Sequence, residues 1–292
     1  QAREKGRDGL GLGEIAPDGD HAVLALEHER ALGAKAARMA VPPRGPVNEV
    51  DSEFPLALNT GRVRDHWHTL TRTGLSPRLS GHIVEPFAEL HPQDAQQYGI
   101  HDGSLVTLAT RWGGMLARAR VTESQRPGSV FAPIHWNDQY ARRARADALV
   151  NPVTDPVSGQ PEFKHTPVNI APYVPAWHAF LLSRRRLNIP DVAYCARATG
   201  QGFWRYELAG ETPSWDWPGW ARALLCAPFE NAARAEWIDY LDSGAGQYRG
   251  ARLLGGRLES CLFVARTPEL PMRDWLASLF NRVSLTREER LH

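Results

Sequence analysis

The runs Ser104-Leu105-Val106-Thr107-Leu108-Ala109-Thr110 and Met115-Leu116-Ala117-Arg118-Ala119-Arg120-Val121, joined across Trp112-Gly113-Gly114, decide the fold class of this chain. Both are short, mostly apolar and bounded by turn formers, which is the pattern of two paired strands. Just upstream, Asp102-Gly103 is a turn, and His91 to Tyr98 reads as a short helix with Pro92 in its first turn and Gly99 as its stop. Working outward, Val130 to Pro133 is a further strand before a loop at His135. Thr166 to Pro172 is another after a long polar loop, and Phe54 to Asn59 is a buried strand running into Thr60-Gly61-Arg62. Short strands with few helices imply a closed or sandwiched β fold.

The flanks differ from this middle. Residues 1–40 mix glycine-rich and charged stretches with a helix-like run from Ala22 to Ala37 and stay unassigned. Val41-Pro42-Pro43-Arg44-Gly45-Pro46 is a stiff connector that marks a domain edge, because proline fixes φ and restricts its predecessor. Seven of the ten tryptophans lie beyond residue 175, a composition shift that marks a second unit over 176–292. There, Asn231 to Ser243 reads as an amphipathic helix, Gln247 to Leu254 and Leu258 to Ala265 as a hairpin across Gly255-Gly256, and Asp274 to Phe280 as another helix, an α+β mixture. The chain opens on Gln1, and a Thr286-x-x-Glu289 capping box stands at its other end. Both ends read as cuts in a longer parent.

With 292 residues, of which 42% are hydrophobic, the chain can fill the core of one large domain or two ordinary ones. Its 34 basic and 33 acidic side chains leave a net charge of +1, so no global field argues for nucleic acid or an anionic membrane. No apolar run approaches the ~20 residues of a membrane span. Cys195, Cys226 and Cys261 are too few and too far apart for a disulfide framework or a four-cysteine cluster, and read as reduced, buried thiols of a cytoplasmic protein.

Against that neutral background the segment from Thr60 to His82 stands out. It holds Arg62, Arg64, Arg72 and Arg78 against the single acid Asp65, together with Gly61, Gly74 and the hydroxyls of Thr60, Thr69, Thr71 and Thr73. Guanidinium forks and open backbone N–H groups suit a phosphorylated ligand. An ordinary solvated basic loop is the competing reading. His66-x-His68 places two imidazoles on one side of an extended chain, yet no third metal ligand stands nearby. Gly244-Ala245-Gly246 with Gly250 follows the expected helix rather than a strand and has the wrong spacing for a dinucleotide fingerprint, so it reads as a turn.

The stretch Asn59-Thr60-Gly61-Arg62-Val63-Arg64-Asp65-His66-Trp67-His68-Thr69-Leu70-Thr71-Arg72-Thr73-Gly74 resembles the molybdopterin-dinucleotide-binding domain of bacterial assimilatory nitrate reductases. The resemblance continues through Glu85-Pro86-Phe87, His91-Pro92-x-Asp94-Ala95 and Pro133-Ile134-His135-Trp136-Asn137, and closes over Asn151 to Val168. It implies a mainly β double-psi barrel over 41–175 followed by a smaller α+β extension over 176–292, which precedes an iron–sulfur domain. It further implies that Thr60, Gly61, Arg62, Val63, Arg64, Asp65, His66, Trp67, His68 and Thr69 wrap the cofactor, with Lys164 and the loop His135, Trp136 and Asn137 beside it. The cofactor so implied is molybdenum held by two molybdopterin guanine dinucleotides and shared with upstream domains. The [4Fe-4S] and [2Fe-2S] clusters of the family, and every metal ligand, would lie outside this chain. Neither a catalytic nor a metal-ligating residue is therefore assigned.

The resulting expectation is the cofactor-binding portion of a cytoplasmic assimilatory nitrate reductase, reducing nitrate to nitrite by oxygen-atom transfer and inactive alone. Its expected partners are nitrate, the upstream molybdenum and iron–sulfur domains and an electron-donor protein or domain, with neither nucleic acid nor membrane among them. A formate dehydrogenase or another molybdopterin oxidoreductase is the alternative enzyme, and a non-catalytic pterin-nucleotide-binding scaffold is the alternative of another class.

Overall fold

The computed structural model describes residues 45–156, 158–190, 192–214, 216–226 and 235–290. The helix expected at Ala22 to Ala37 and most of the proline connector lie outside them. Six strands close into a barrel: β1 (Leu56–Gly61), β2 (Phe87–Leu90), β3 (Leu105–Ala109), β4 (Gly114–Val121), β5 (Ser129–Pro133) and β6 (Thr166–Pro172). Their order is β1-β5-β2-β4-β3-β6, with β1·β5 and β2·β4 parallel and the other pairs antiparallel. Of the two β architectures the sequence left open, the closed one forms. Alternate residues point inward, so Leu56, Leu58, Leu90, Val106, Leu108, Met115, Ala117, Val130, Val168 and Ile170 fill one apolar core.

Between the strands lie the short helices α1 (Pro77–Ser80) and α2 (Pro92–Tyr98). In α2 Pro92 opens the first turn and Gly99 ends it at φ +65°, as expected, while His91 stands before the helix as its cap, its ring accepting a hydrogen bond from Gln93 N–H at 3.2 Å.

A second sheet comprises β7 (Trp177–Ser183), β8 (Tyr194–Gly200), β9 (Phe203–Gly210), β10 (Ala235–Asp242), β11 (Gln247–Leu254) and β12 (Arg257–Ala265). It is antiparallel throughout, in the order β10-β11-β12-β7-β9-β8, and carries α3 (Trp217–Leu225) and α4 (Arg273–Leu279). Strand β7 is central and buried along its whole length. Trp177, Ala179 and Leu181 pack with Trp217, Ala221 and Leu225 of α3, while Phe180 and Leu182 pack with Leu276 and Leu279 of α4.

The helix expected from Asn231 to Ser243 is corrected: residues 235–242 form strand β10, and residues 231–234 lie outside the described residues. The reason is that the apolar side chains of this segment serve two faces. Trp237 packs toward the α3 core while its neighbour Ile238 packs toward the α4 core, which is strand geometry with period two. The Thr286 capping box closes reciprocally, with Thr286 N–H donating to Glu289 at 2.9 Å and Glu289 N–H to the Thr286 hydroxyl at 3.2 Å, around a turn. Cys261 is buried, and burial pushes its thiol up to about 12; Cys195 and Cys226 are half-buried.

From Pro46 onward the chain is one compact unit. The barrel residues Leu105 and Leu116, the loop residues Trp136, Tyr140, Ala141 and Ala144, and Tyr194, Ala196 and Ala209 of the second sheet form a common apolar cluster. Main-chain bonds reinforce it, from Arg142 N–H to Cys195 C=O and from Arg197 N–H to Tyr140 C=O, each at 2.8 Å.

Candidate functional site

The parallel pairing of β1 with β5 sets Gly61 opposite Pro133, so the chains leaving both strands emerge at one end of the barrel. Strand β6 enters at that same end, pairing Thr166 with Leu58 of β1. The three sequence-distant candidates, residues 60–69, residues 135–137 and Lys164, are thereby gathered together. Lys164 Nζ donates to the Thr60 carbonyl, and the Thr60 hydroxyl donates to the Phe163 carbonyl at 2.8 Å. Asn151, itself buried, holds the return loop from below through its amide NH₂, which donates to the Glu162 carbonyl at 3.0 Å and the Thr166 hydroxyl at 3.3 Å.

His135 organises the 60–69 loop. Its ring is 0% exposed; Nε2 accepts from Val63 N–H at 2.9 Å, and Nδ1 faces the His68 carbonyl at 2.6 Å. A carbonyl only accepts, so Nδ1 carries the proton and the imidazole is neutral. Burial holds its pKa below the usual histidine value, in keeping with that state. One ring thus ties two points of the loop five residues apart, and between them the backbone makes a tight excursion that puts His68 at φ +44°, followed by Leu70 at +64°. Non-glycine residues in this region cost about 1–3 kcal/mol each and persist where neighbours impose them.

His66 is 5% exposed and wedged edge-on against the His135 and Trp136 rings, with centroids 5.6 and 5.4 Å away. Its Nε2 bonds the Ile83 carbonyl at 3.0 Å, its Nδ1 is buried without a partner, and burial lowers its pKa. The loop's one acid is consumed internally: Asp65 accepts from Arg64 at 3.0 Å and faces His82 at 2.9 Å, contacts that hold its carboxyl below the usual range. Asn137 spans outward, reaching the Thr69 carbonyl at 3.5 Å and accepting from Gln139 N–H at 2.9 Å.

The candidates therefore divide by exposure. Arg62, Arg64, Trp67, His68, Thr69 and Lys164 face solvent, Gly61, Val63, Asp65 and Asn137 are half-buried, and Thr60, His66, His135 and Trp136 are buried. Arg62 lies over the Trp67 ring with 5.6 Å to its centroid and forms no ion pair among the described residues. The outer surface of the loop thus offers cations, a hydroxyl and an aromatic face, with no uncommitted carboxylate. That donor set fits an anionic dinucleotide. Among the described residues no group of three or more His, Cys, Asp or Glu is placed to hold a metal.

Gly74, expected to open a backbone N–H to an anion, is instead buried with its N–H donating to the Leu70 carbonyl at 2.9 Å, and Tyr140 and Thr199, outside the sequence expectation, complete the support. Gly74 is pressed against Tyr140 so closely that an added Cβ would lie 2.5 Å from the ring, and its carbonyl accepts from Thr199 of β8 at 2.7 Å. A glycine among hydroxyl residues signals close approach, yet nothing in sequence pairs it with Tyr140 or Thr199.

Comparison with known proteins bears on this end of the barrel. Residues 56–167 match the family described as the molydopterin dinucleotide binding domain. That span runs from the start of β1 into β6 and so coincides with the barrel. A nitrate reductase of Klebsiella oxytoca is 45% identical over 183 residues, 63% of this chain and 21% of that protein. The assimilatory nitrate reductase catalytic subunit of Bacillus subtilis is 34% identical over 161 residues, 53% of this chain and 22% of that protein. The alpha subunit of F420-dependent formate dehydrogenase 1 of Methanococcus maripaludis is 38% identical over 119 residues, 41% and 17% of the respective chains. The chain thus spans about a fifth of the length of these relatives.

Proposed function

We propose that this chain is the cofactor-binding portion of a molybdenum-dependent assimilatory nitrate reductase, acting in the cytoplasm. The observation that carries this reading is the extent of the nitrate reductase similarity. At 45% identity it runs over 183 residues, beyond the 112-residue span from 56 to 167 of the binding domain, whereas the formate dehydrogenase similarity covers 119 residues. The two parallel pairs, β1·β5 and β2·β4, support reading the barrel as double-psi.

In this reading Arg62, Arg64, Thr69 and Lys164 hold the phosphates and polar edges of one molybdopterin guanine dinucleotide, and Trp67 offers a face to a ring. His135, His66 and Trp136 hold the loop in shape from beneath. When bound, the molybdenum of that cofactor supplies the acceptor for the oxygen atom removed from nitrate, while this chain binds, orients and neutralises charge. Upstream domains and an electron donor complete the enzyme.

The test is the parent enzyme encoded with its upstream domains. It is expected to contain molybdenum and to reduce nitrate with a chemical electron donor. Arg62→Ala and Lys164→Ala are each expected to lower cofactor content, since a charge-assisted contact is worth about 1.5–3 kcal/mol, roughly ten- to a hundredfold in affinity. Formate oxidation in place of nitrate reduction would favour the alternative enzyme. Full cofactor content in both variants would return the loop to a solvated basic surface.

A further inference from the structure

The face of the second sheet that covers the barrel also covers α4, and a polar cavity of about 270 Å³ lies where they meet. Its chemistry comes from six side chains: Glu85 and Arg118 of the barrel, His178 of β7, Arg205 and Glu207 of β9, and Arg273 of α4. Two features of this cluster are incomplete. Arg118 is matched by Glu85, which accepts from it at 2.6 Å and from the Tyr194 hydroxyl at 2.8 Å, but Arg205 and Arg273 both converge on the single carboxylate of Glu207. Three guanidinium groups thus face two carboxylates. Arg205 uses Nε and Nη2 on Glu207, and among the described residues no hydrogen bond or ion pair engages its Nη1.

The second incomplete feature is His178, which is 8% exposed and whose ring makes no hydrogen bond among the described residues. His178 lines the cavity, and neither of its ring nitrogens is among the fully buried atoms without a partner, so the ring is open to whatever occupies that space. Burial and the nearby Arg118 charge push its pKa down to about 4, against a weaker opposing pull from exposed Glu269 and from Glu85. The neutral ring therefore offers one N–H donor beside a spare guanidinium N–H.

We propose that this cavity is a binding site for one small oxyanion, held by His178 and Arg205 with Arg273 beside them. An acceptor-only anion satisfies both open donors and balances the excess guanidinium charge. The three arginines exclude a cation, and the volume excludes a nucleotide. Because its walls come from the barrel and from the second sheet, the anion would brace one against the other.

Inorganic phosphate, with sulfate and nitrate as parallel probes, is titrated into the complete chain at constant ionic strength held with chloride, read by calorimetry and by thermal unfolding. Saturable binding of at least one probe with a Kd of about 1 mM or tighter, and a matching rise in Tm, is expected. His178→Phe and Arg205→Met should each weaken it about tenfold or more, while Arg62→Ala with Arg64→Ala should leave it unchanged. His178→Phe removes a ring with no hydrogen bond to lose, so it remains decisive if Arg205→Met fails to fold. Absence of saturable binding by the unmodified chain, full binding in His178→Phe, or loss of binding only in the Arg62/Arg64 variant would each overturn the proposal.

Discussion

Replacing His135 tests the view that the proposed cofactor loop is shaped from below. His135→Phe keeps a planar ring in a fully buried position but removes the acceptor of Val63 N–H and the donor to the His68 carbonyl. Each partner left unsatisfied costs about 1–3 kcal/mol, and escape of the loop to solvent trims the total, so a destabilisation of about 2–4 kcal/mol is expected. Two further variants divide the effect. Asparagine places an amide N–H near the position of Nδ1 and can keep the bond to His68, whereas glutamine places a carbonyl near Nε2 and can keep the bond to Val63. Each should cost about half as much as phenylalanine. Urea unfolding of the 292-residue chain gives the free energies, and exchange of the Val63 amide reports the bond directly. A cost below about 0.5 kcal/mol for phenylalanine, or equal costs for all three variants, would refute the clamp.

Acid should weaken the fold in a defined window. Folded-state values of His66, His135 and His178 are all depressed, the last to about 4, so the unfolded chain binds more protons and stability falls as pH drops from about 6.5 toward 4. Tm against pH should show that loss, with a shallower slope in His178→Phe. Gly74→Ala should cost about 1–3 kcal/mol, because its methyl meets the Tyr140 ring at 2.5 Å; an unchanged Tm would show that Tyr140 yields freely. A truncation ending at Pro175 uncovers Trp136, Tyr140, Leu105 and Leu116, which pack against Tyr194 and Ala196, and is expected to aggregate or lose dispersed amide signals, checked by size exclusion and NMR. The purified chain should hold no stoichiometric iron or molybdenum by elemental analysis, and stoichiometric iron would contradict the absence of a ligand cluster among the described residues.

Most barrel strands are legible from local pattern because each carries its own core residues and its own turn formers, as Leu105–Ala109 and Gly114–Val121 do around Gly113. The same holds for α2, whose histidine cap, proline and terminal glycine lie within nine residues of one another. The excess of arginine over Thr60 to His82 likewise marks the cationic loop proposed to bind the cofactor, since charge composition needs no fold to be counted.

Pairing is another matter, because it depends on which distant segments exclude water from each other. Residues 235–242 carry apolar groups that suit a helical stripe, and only Leu254 to Gln247 opposite them, with separate cores on the two faces, makes them a strand. His135 and Asp65 look in sequence like ligand-facing groups. Their partners are Val63, His68, Arg64 and His82, and the contacts across 67 or 72 residues exist only because β1 and β5 run parallel and release their chains at one end. Local propensity and composition thus determined most of the barrel strands and the cationic loop. Tertiary packing alone decided which of that loop's residues face outward and which are spent holding it, since a buried hydrogen bond is satisfied by whatever the fold brings within reach.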